Sequence, residues 1–315
     1  NVSVVLFDLP TAHKDGQSTD KNLIIRRAID NLKKLKPAPL ANKGDVDLMQ
    51  LANYEDDLQL LASCDLVIEA IAERLDWKHD LYKKVSPFLA PHAIFATNTS
   101  GLSITKLSEG FSEELKHRFC GIHFFNPPRY MHLLELIPTK HTDPALLDVL
   151  EPFMTSVLGK GVVRAKDTPN FIANRVGVFS ILAVLAEAQR FNLGFDTVDA
   201  LTGSKLGRAK SATFRTSDVV GIDTMAHVIK TMEDGLPNDP FTSVYKVPDV
   251  IKSLVEKGLL GQKSGAGFYK KSGKEILVLN PATGEYAPSV GEMLPVVERI
   301  LKKPLHERFA LLREL

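Results

Sequence analysis

Short apolar runs and helical patterns alternate over the first half of the chain. Seven runs are apolar or β-branched and predict strands: Val2–Phe7, Leu51–Tyr54, Asp65–Ala70, Ala93–Ala96, Arg118–Phe125, His132–Ile137 and Gly161–Ala165. Between them, apolar residues recur at helical spacing in four segments: Asn22–Leu35, Glu55–Ala62, a segment from about Leu75, and Asp143–Leu158. Continuous apolar strands separated by helices are typical of sheets buried on both faces. The pattern therefore predicts the α/β class, with a doubly wound, largely parallel sheet.

From Lys166 onward the pattern changes to helix after helix. Asp167 or Thr168 can cap the free amides at the start of the first of these helices. Predicted elements follow at Asn170–Leu193, Asp196–Leu201, Asp218–Met232 and Val247–Lys257, then as a β-hairpin at 271–288 and as one or two helices in Val290–Leu315. We therefore predict two domains, at residues 1–166 and 167–315, the second mostly α-helical.

The 315 residues have an ordinary globular composition, 44% hydrophobic and 24% charged, with a formal net charge of +1. This near-neutral balance gives no reason to expect a nucleic-acid partner. The longest apolar candidate for a membrane span, Val176–Ala186, is too short to cross a bilayer. The two cysteines, Cys64 and Cys120, lie beside apolar runs, and no cysteine or histidine cluster predicts a metal. We therefore expect a cytoplasmic, metal-free protein without a membrane span.

Polar side chains lie at the ends of neighbouring predicted strands. Ser100 follows the fourth run, His123 and Asn126 end the fifth, and Glu135 lies in the sixth. If the last two of these runs form an antiparallel pair that turns at Asn126–Met131, His123 lies opposite Glu135 on one face. An imidazole facing a carboxylate is a general base with a fixed tautomer. A lone histidine at a strand end is more often structural, but these groups share the edge where open α/β sheets bind ligands, which favours catalysis.

Three stretches resemble a known family in both spacing and residue type. NTSGLS at 98–103, HFFNPPRYMHLLE at 123–135 and KDTPNFIANR at 166–175 closely resemble the 3-hydroxyacyl-CoA dehydrogenases of fatty-acid β-oxidation. The resemblance covers the chain from Val2 to about Lys270. It implies a Rossmann-type NAD-binding domain followed by a helical domain, and NAD-dependent oxidation of an L-3-hydroxyacyl-CoA thioester to the 3-ketoacyl-CoA. It also implies a homodimer formed through the helical domain.

The resemblance also assigns roles to individual positions. Its catalytic residues correspond to His123 as general base, Glu135 as supporting acid, and Ser100 and Asn174, which orient the substrate oxygen. Its contacts with the cofactor NAD correspond to Asp8, Glu73, Lys78, Asn126 and Lys263. Asp8, at the tip of the first strand, takes the place of the acid that binds the adenosine ribose hydroxyls. Glu73 and Lys78 do not share a helix face, so without the resemblance they would be interpreted as surface charges.

One part of the family pattern is not found upstream of Asp8. Dinucleotide-binding domains carry a G-x-G-x-x-G turn about 20 residues before this acid, and only seven residues precede Asp8. Val2–Phe7 is therefore expected to correspond to the family's second strand, in a sheet that lacks its first strand–helix unit. Without the donors of that turn, an alternative is a non-catalytic fragment that binds acyl-CoA or forms oligomers. A further alternative is another NAD-dependent hydroxy-acid dehydrogenase, although the hydroxyisobutyrate type uses a lysine where this chain offers His123.

Two basic clusters have open interpretations. Lys33, Lys34 and Lys36 can meet the phosphates of coenzyme A, although a solvated helix end is the simpler explanation. The segment 203–218 is more basic than the family's version, and its charges either alter the substrate mouth or coat a loop. The resemblance further implies a longer fused enzyme with an enoyl-CoA hydratase module.

Overall fold

A computed structural model describes residues 2–11, 20–290 and 295–313. Its backbone falls into two compact units, Asn1–Ile172 and Ala173–Leu315. The first unit alternates strands with helices and the second is mostly helical. The predicted domain boundary after Lys166 stays a prediction. Among the described residues, no helix is both long enough and apolar enough to pass through a membrane.

The strands and helices of the first unit alternate as the apolar pattern predicts. In chain order they are β1 (Val4–Asp8), α1 (Leu23–Leu32), β2 (Met49–Asn53), β3 (Leu66–Glu69), α2 (Leu75–Val85), β4 (Ile94–Thr97), α3 (Ile104–Ser108), α4 (Glu113–Lys116), β5 (Phe119–Phe124), β6 (Leu133–Pro138), α5 (Pro144–Pro152) and β7 (Gly161–Arg164). Short 3-10 turns lie at Lys43–Leu48, Leu58–Ser63 and Ser86–Phe88.

These strands form two sheets. The larger has the order β3-β4-β5-β6-β7, in which all neighbours are parallel except the antiparallel pair β5 and β6. β1 and β2 form a separate parallel pair. The strand order of a doubly wound sheet is 3-2-1-4-5-6. If β1, β2 and β3 of this chain correspond to strands 2, 3 and 4 of that order, strand 1 lies between β1 and β3. The separation therefore agrees with an N-terminal strand that corresponds to the second strand of that order, and the α/β class is confirmed.

An aromatic cluster fixes α2 against the larger sheet. Tyr82 of α2 stacks on Phe111 with 4.6 Å between ring centroids, and its ring meets Phe95 of β4 edge-on at 5.2 Å. Phe119 of β5 lies 5.0 Å from Phe111 in the same cluster. Aromatic rings dominate the energetics of a core because each buries a large apolar area. The cluster therefore holds α2, and with it Lys78, in a defined place beside β4 and β5.

Two predicted helices of the first unit are shorter than their apolar spacing indicates. The segment Glu55–Ala62 forms only the 3-10 turn at Leu58–Ser63, because the Asn53 side chain takes the amides of Glu55 and Asp56. The helix predicted to reach Leu158 ends at Pro152 and continues as one π-turn. Pro152 has no N–H to donate, which interrupts the α-helical ladder.

The second unit packs its helices around an apolar core and also contains a small sheet. Its elements are α6 (Ala173–Arg190), α7 (Phe195–Thr202), α8 (Phe214–Val220), α9 (Ile222–Gly235), α10 (Asp249–Glu256), β8 (Tyr269–Ser272), β9 (Glu275–Leu279), β10 (Tyr286–Pro288), α11 (Pro295–Leu301) and α12 (Leu305–Arg313). The predicted hairpin is present as β9 and β10, and β8 extends it to three antiparallel strands.

The helix predicted at Asp218–Met232 is wrong as a single element. It is broken at Gly221, whose φ of +102° is open to glycine but strained for other residues. Asp218, in the last turn of α8, accepts the amides of Phe268 and Tyr269, both at 2.8 Å. A Cβ at Gly267 would overlap the Asp218 carboxylate. A Cβ at Gly261 would likewise overlap the Asp218 backbone. Two of the four glycines in the stretch GLLGQKSGAGFY, residues 258–269, thus have a structural explanation in the close approach of this loop to α8.

Candidate active site

The hairpin of β5 and β6 brings an imidazole and a carboxylate together. Its register pairs His123 with Glu135, as the hairpin geometry predicts. His123 Nδ1 lies 2.8 Å from Glu135 Oε2, and the two side chains are only 3% and 1% exposed. A carboxylate at Nδ1 fixes the proton on that nitrogen, so Nε2 carries the free lone pair. The arrangement is that of a general base with a supporting acid.

Ser100 faces the free nitrogen of this base. Its Oγ lies 3.0 Å from His123 Nε2, and Ser100 itself is exposed. The hydroxyl can donate to Nε2 and leaves its own lone pairs for a ligand. The buried His123–Glu135 pair therefore reaches the surface through one short polar contact.

The far side of Glu135 is held by the backbone. Its Oε1 accepts the amide of Ile172 at 2.9 Å. The two preceding residues, Asn170 and Phe171, both have positive φ, +59° and +52°. This conformation is costly for residues other than glycine and clusters at functional sites. It turns the Ile172 amide toward Glu135 and sets the Phe171 ring 5.6 Å from the imidazole of His123.

The loop that carries Ser100 is held at both ends by acids. Glu73 Oε1 accepts the amides of Ser100 at 2.6 Å and Gly101 at 2.9 Å. At the other end, the Asp167 carboxylate accepts the amides of Ile104 and Thr105 at the start of α3. The Asp167 carboxylate therefore binds the free amides of α3, and the prediction that Asp167 or Thr168 caps the following long helix stays a prediction. The two acids together define where Ser100 lies.

Lys78 is more deeply buried than a direct contact with the cofactor would suggest. Its Nζ is 2.6 Å from Glu69 Oε1 and 3.8 Å from Glu73 Oε2, with the Lys78 side chain 1% exposed. Glu69 also accepts the hydroxyls of Tyr82 and Thr97. Sequence reasoning missed Glu69, although an acid that ends the apolar run DLVIEA was a usable signal. Glu73 and Lys78 thus belong to one network, in which Lys78 lies next to the acid that binds the Ser100 amide.

The other predicted cofactor contacts of the first unit lie at strand ends. Asp8 is the last residue of β1, and its carboxylate accepts the amide of Leu9 at 2.7 Å. Asn126 follows β5, is exposed, and precedes the cis peptide to Pro127. Carboxylates at the ends of parallel strands bind ribose hydroxyls in dinucleotide folds. The donor and acceptor set present therefore fits an NAD molecule.

Two predicted site residues lie in the second unit. Asn174 is half-buried in the first turn of α6. Lys263 forms an ion pair with Asp223, with 2.6 Å between Nζ and Oδ2, and its side chain is 50% exposed. The roles of both residues, which rest on the family resemblance, stay predictions.

The described residues offer no group of three or more His, Cys, Asp or Glu side chains suited to a metal. Burial raises the pKa of the Cys120 thiol to about 12. Desolvation likewise raises the pKa of Cys64. Neither thiol is therefore activated as a nucleophile.

A largely parallel sheet with polar side chains at its strand ends places this chain in the class of dinucleotide-binding α/β proteins. Residues 2–168 match the sequence model for the NAD binding domain of 3-hydroxyacyl-CoA dehydrogenase, and residues 171–271 match the model for its C-terminal domain. The chain belongs to the 3-hydroxyacyl-CoA dehydrogenase family, as its motifs predict, and the cofactor of this domain is NAD.

Individual relatives agree with this assignment. The chain is 42% identical over 278 residues to a probable 3-hydroxyacyl-CoA dehydrogenase of Bacillus subtilis, covering 88% of this chain and 35% of that protein. It is 42% identical over 274 residues to a protein of the same description from Deinococcus radiodurans, covering 87% of this chain and 77% of that protein. The crystal structure of M. tuberculosis FadB2 superposes with a TM-score of 0.70 at 29% identity, covering 86% of this chain and 91% of that one. The chain thus spans about a third of the Bacillus relative's length and about three quarters of the Deinococcus relative's.

Proposed function

We propose that this chain catalyses the NAD-dependent oxidation of L-3-hydroxyacyl-CoA to 3-ketoacyl-CoA, and the reverse reduction. The observation that carries the proposal is the contact series Glu135–His123–Ser100, buried at the acid and exposed at the hydroxyl. Family membership supplies the substrate class. We further propose that the reaction belongs to fatty-acid β-oxidation, in the cytoplasm.

His123 acts as the base in this proposal. Its Nε2 removes the proton of the substrate's 3-hydroxyl while hydride leaves carbon 3, and NAD, when bound, supplies the hydride acceptor. The imidazole becomes positive in this step. Glu135, 2.8 Å from Nδ1, stabilises that charge more strongly than water would, because the pair is buried.

Ser100 and Asn174 orient the substrate oxygen. The Ser100 hydroxyl lies 3.0 Å from His123 Nε2, so an oxygen bound to it lies within reach of the base. Phe125 and Phe171 line the imidazole, with ring centroids 4.5 and 5.6 Å away, and limit access of water to it. The role of Asn174 rests on the family motif.

For the cofactor, we propose contacts from Asp8, Glu73, Lys78, Asn126 and Lys263. Asp8 would bind the adenosine ribose hydroxyls, since an acid ends the strand in this position of dinucleotide folds. Glu73 anchors the amide of Ser100, which puts its carboxylate close to the reacting end. We also propose a homodimer formed through the helical unit.

The experiment is reduction of acetoacetyl-CoA by the purified chain. Loss of NADH absorbance that depends on both compounds supports the proposal. Binding of the thioester without NADH oxidation would instead support a non-catalytic acyl-CoA-binding chain. Turnover of free hydroxy acids with no response to the thioester would support a different hydroxy-acid dehydrogenase.

A further inference from the structure

Glu69 is a buried acid outside the set of residues predicted for catalysis and cofactor binding. It ends β3 and is 5% exposed. Its Oε1 accepts Lys78 Nζ and the amide of Ile71, both at 2.6 Å. Its Oε2 accepts the hydroxyls of Tyr82 at 2.9 Å and Thr97 at 2.8 Å. Four donors, one of them a cation, satisfy this carboxylate completely.

Two carboxylates compete for the one ammonium of Lys78. Glu69 is nearer, at 2.6 Å, and buried, whereas Glu73 Oε2 is 3.8 Å away on a side chain that is 37% exposed. Because Glu69 holds the cation, the Glu73 carboxylate remains available for the Ser100 loop. It accepts the amide of Ser100 at 2.6 Å and the hydroxyl of Thr99 at 2.6 Å.

Removing the charge of Glu69 would leave Lys78 without its nearest counter-ion. A buried ammonium without its counter-ion costs several kcal/mol, and Glu73 is the nearest other carboxylate. The ammonium and Glu73 would therefore close on each other, and Glu73 would leave the amide of Ser100. Ser100 would then shift relative to His123, which its hydroxyl contacts at 3.0 Å.

We propose that Glu69 is a positioning residue, which by neutralising Lys78 keeps Glu73 on the Ser100 loop and so sets the contact between Ser100 and His123. This inference deepens the proposed function and rests on it, since Ser100 and His123 are the groups at the reacting carbon. A purely structural role for Glu69 would predict loss of stability alone. A positioning role predicts a defect that a second substitution, at Lys78, relieves.

The experiment compares three variants of the full chain: Glu69→Gln, Lys78→Met and the double variant. Glu69→Gln is expected to lower kcat for acetoacetyl-CoA reduction roughly tenfold or more, because small shifts of catalytic groups are costly. In the double variant no buried cation remains to attract Glu73, so kcat is expected to recover about threefold or more over Glu69→Gln. KM for NADH should be raised in the double variant, because Lys78 is a proposed cofactor contact. A double variant no faster than Glu69→Gln, or unchanged kcat in Glu69→Gln, overturns the inference.

A second measurement does not need turnover. The nitrogen NMR shifts of the His123 imidazole report its contacts with Ser100 and Glu135. They should change in Glu69→Gln and return toward the wild-type values in the double variant. Unchanged shifts in Glu69→Gln overturn the inference even if the wild-type chain is inactive. If the wild-type chain is inactive but the His123 NMR shifts follow the expected pattern, only the proposed function is refuted.

Two controls separate positioning from folding. Glu113→Gln changes an exposed acid that pairs with Lys116 on α4, and no effect on kcat or on His123 is expected. Glu69→Asp keeps the charge, so it should retain more kcat than Glu69→Gln and leave the His123 shifts near wild type. This variant keeps the test decisive if Glu69→Gln does not fold, since His123 shifts that move in Glu69→Asp contradict the proposal.

Discussion

Glu135 accepts the backbone amide of Ile172 at 2.9 Å while its other oxygen faces His123 Nδ1 at 2.8 Å. Both oxygens of one buried carboxylate are therefore fixed, one by the chain and one by the base. A carboxylate held in this way cannot rotate away when the imidazole becomes charged. Its orientation and its charge can be tested separately.

Glu135→Gln tests the charge. The glutamine side chain has the same size and can still accept the Ile172 amide, but it no longer stabilises an imidazolium. We expect kcat to fall by about a hundredfold or more, with the far-ultraviolet circular dichroism unchanged. Initial rates of NADH oxidation with acetoacetyl-CoA measure the effect. Glu114→Gln, at an exposed position on α4, is the matched control and should keep its rate.

His123→Ala tests the base itself. Removing the imidazole leaves no group to take the hydroxyl proton, and we expect turnover to fall roughly a hundredfold or more while the fold is retained. The control is His92→Ala, because the His92 side chain is 66% exposed and its contact with Asp65 lies on the surface. Near-normal turnover in His123→Ala would refute the assignment of the base.

Asn170 tests the backbone that orients Glu135. Its φ of +59° is accessible to glycine and tolerated by asparagine, but it is strained for a β-branched residue. We expect Asn170→Val to lower the free energy of unfolding by about 1–3 kcal/mol and to lower kcat, because the Ile172 amide moves. Asn170→Gly removes more of the side chain yet should cost less. The measurements are urea unfolding and kcat for both variants. If the valine variant matched the glycine variant in unfolding free energy and in kcat, the proposed role of the backbone would be contradicted.

The site was predictable from the sequence where it follows the period of two in strands. Once β5 and β6 are taken as a hairpin, their register places His123 opposite Glu135 without further information. Contacts that depend on the backbone of loops could not be predicted in this way. Phe171 gives no signal of a positive φ, so the Ile172 amide on Glu135 is visible only in the structure.

The fold shows the same limit. Strand and helix order follows from apolar periodicity, because burial on one or both faces dictates that pattern. The break between α8 and α9 does not, because a single glycine is tolerated inside many helices and Gly221 looks no different from those. The acid at the end of the apolar run DLVIEA was visible in the sequence, but its ion pair with Lys78 was not, because nothing in the pattern shows that the two side chains meet. Glu69 lies in the core because Lys78, Tyr82 and Thr97 satisfy it.

The buried acid Asp218 makes the second unit sensitive to pH. Desolvation raises its pKa from 3.8 to about 6, against the opposing effect of the Tyr269 and Phe268 amides. The neighbouring Asp199 raises it further, and Arg215 lowers it. Since the folded state holds the proton more tightly than the unfolded state, this group's contribution to stability is complete below about pH 4 and is lost as the pH rises through about 6. We expect Asp218→Asn to flatten the fall in unfolding free energy over that window, measured by urea unfolding at several pH values. Asp249→Asn, at a side chain that is 98% exposed, should keep the wild-type slope, and an unchanged slope in Asp218→Asn would show that another group is responsible.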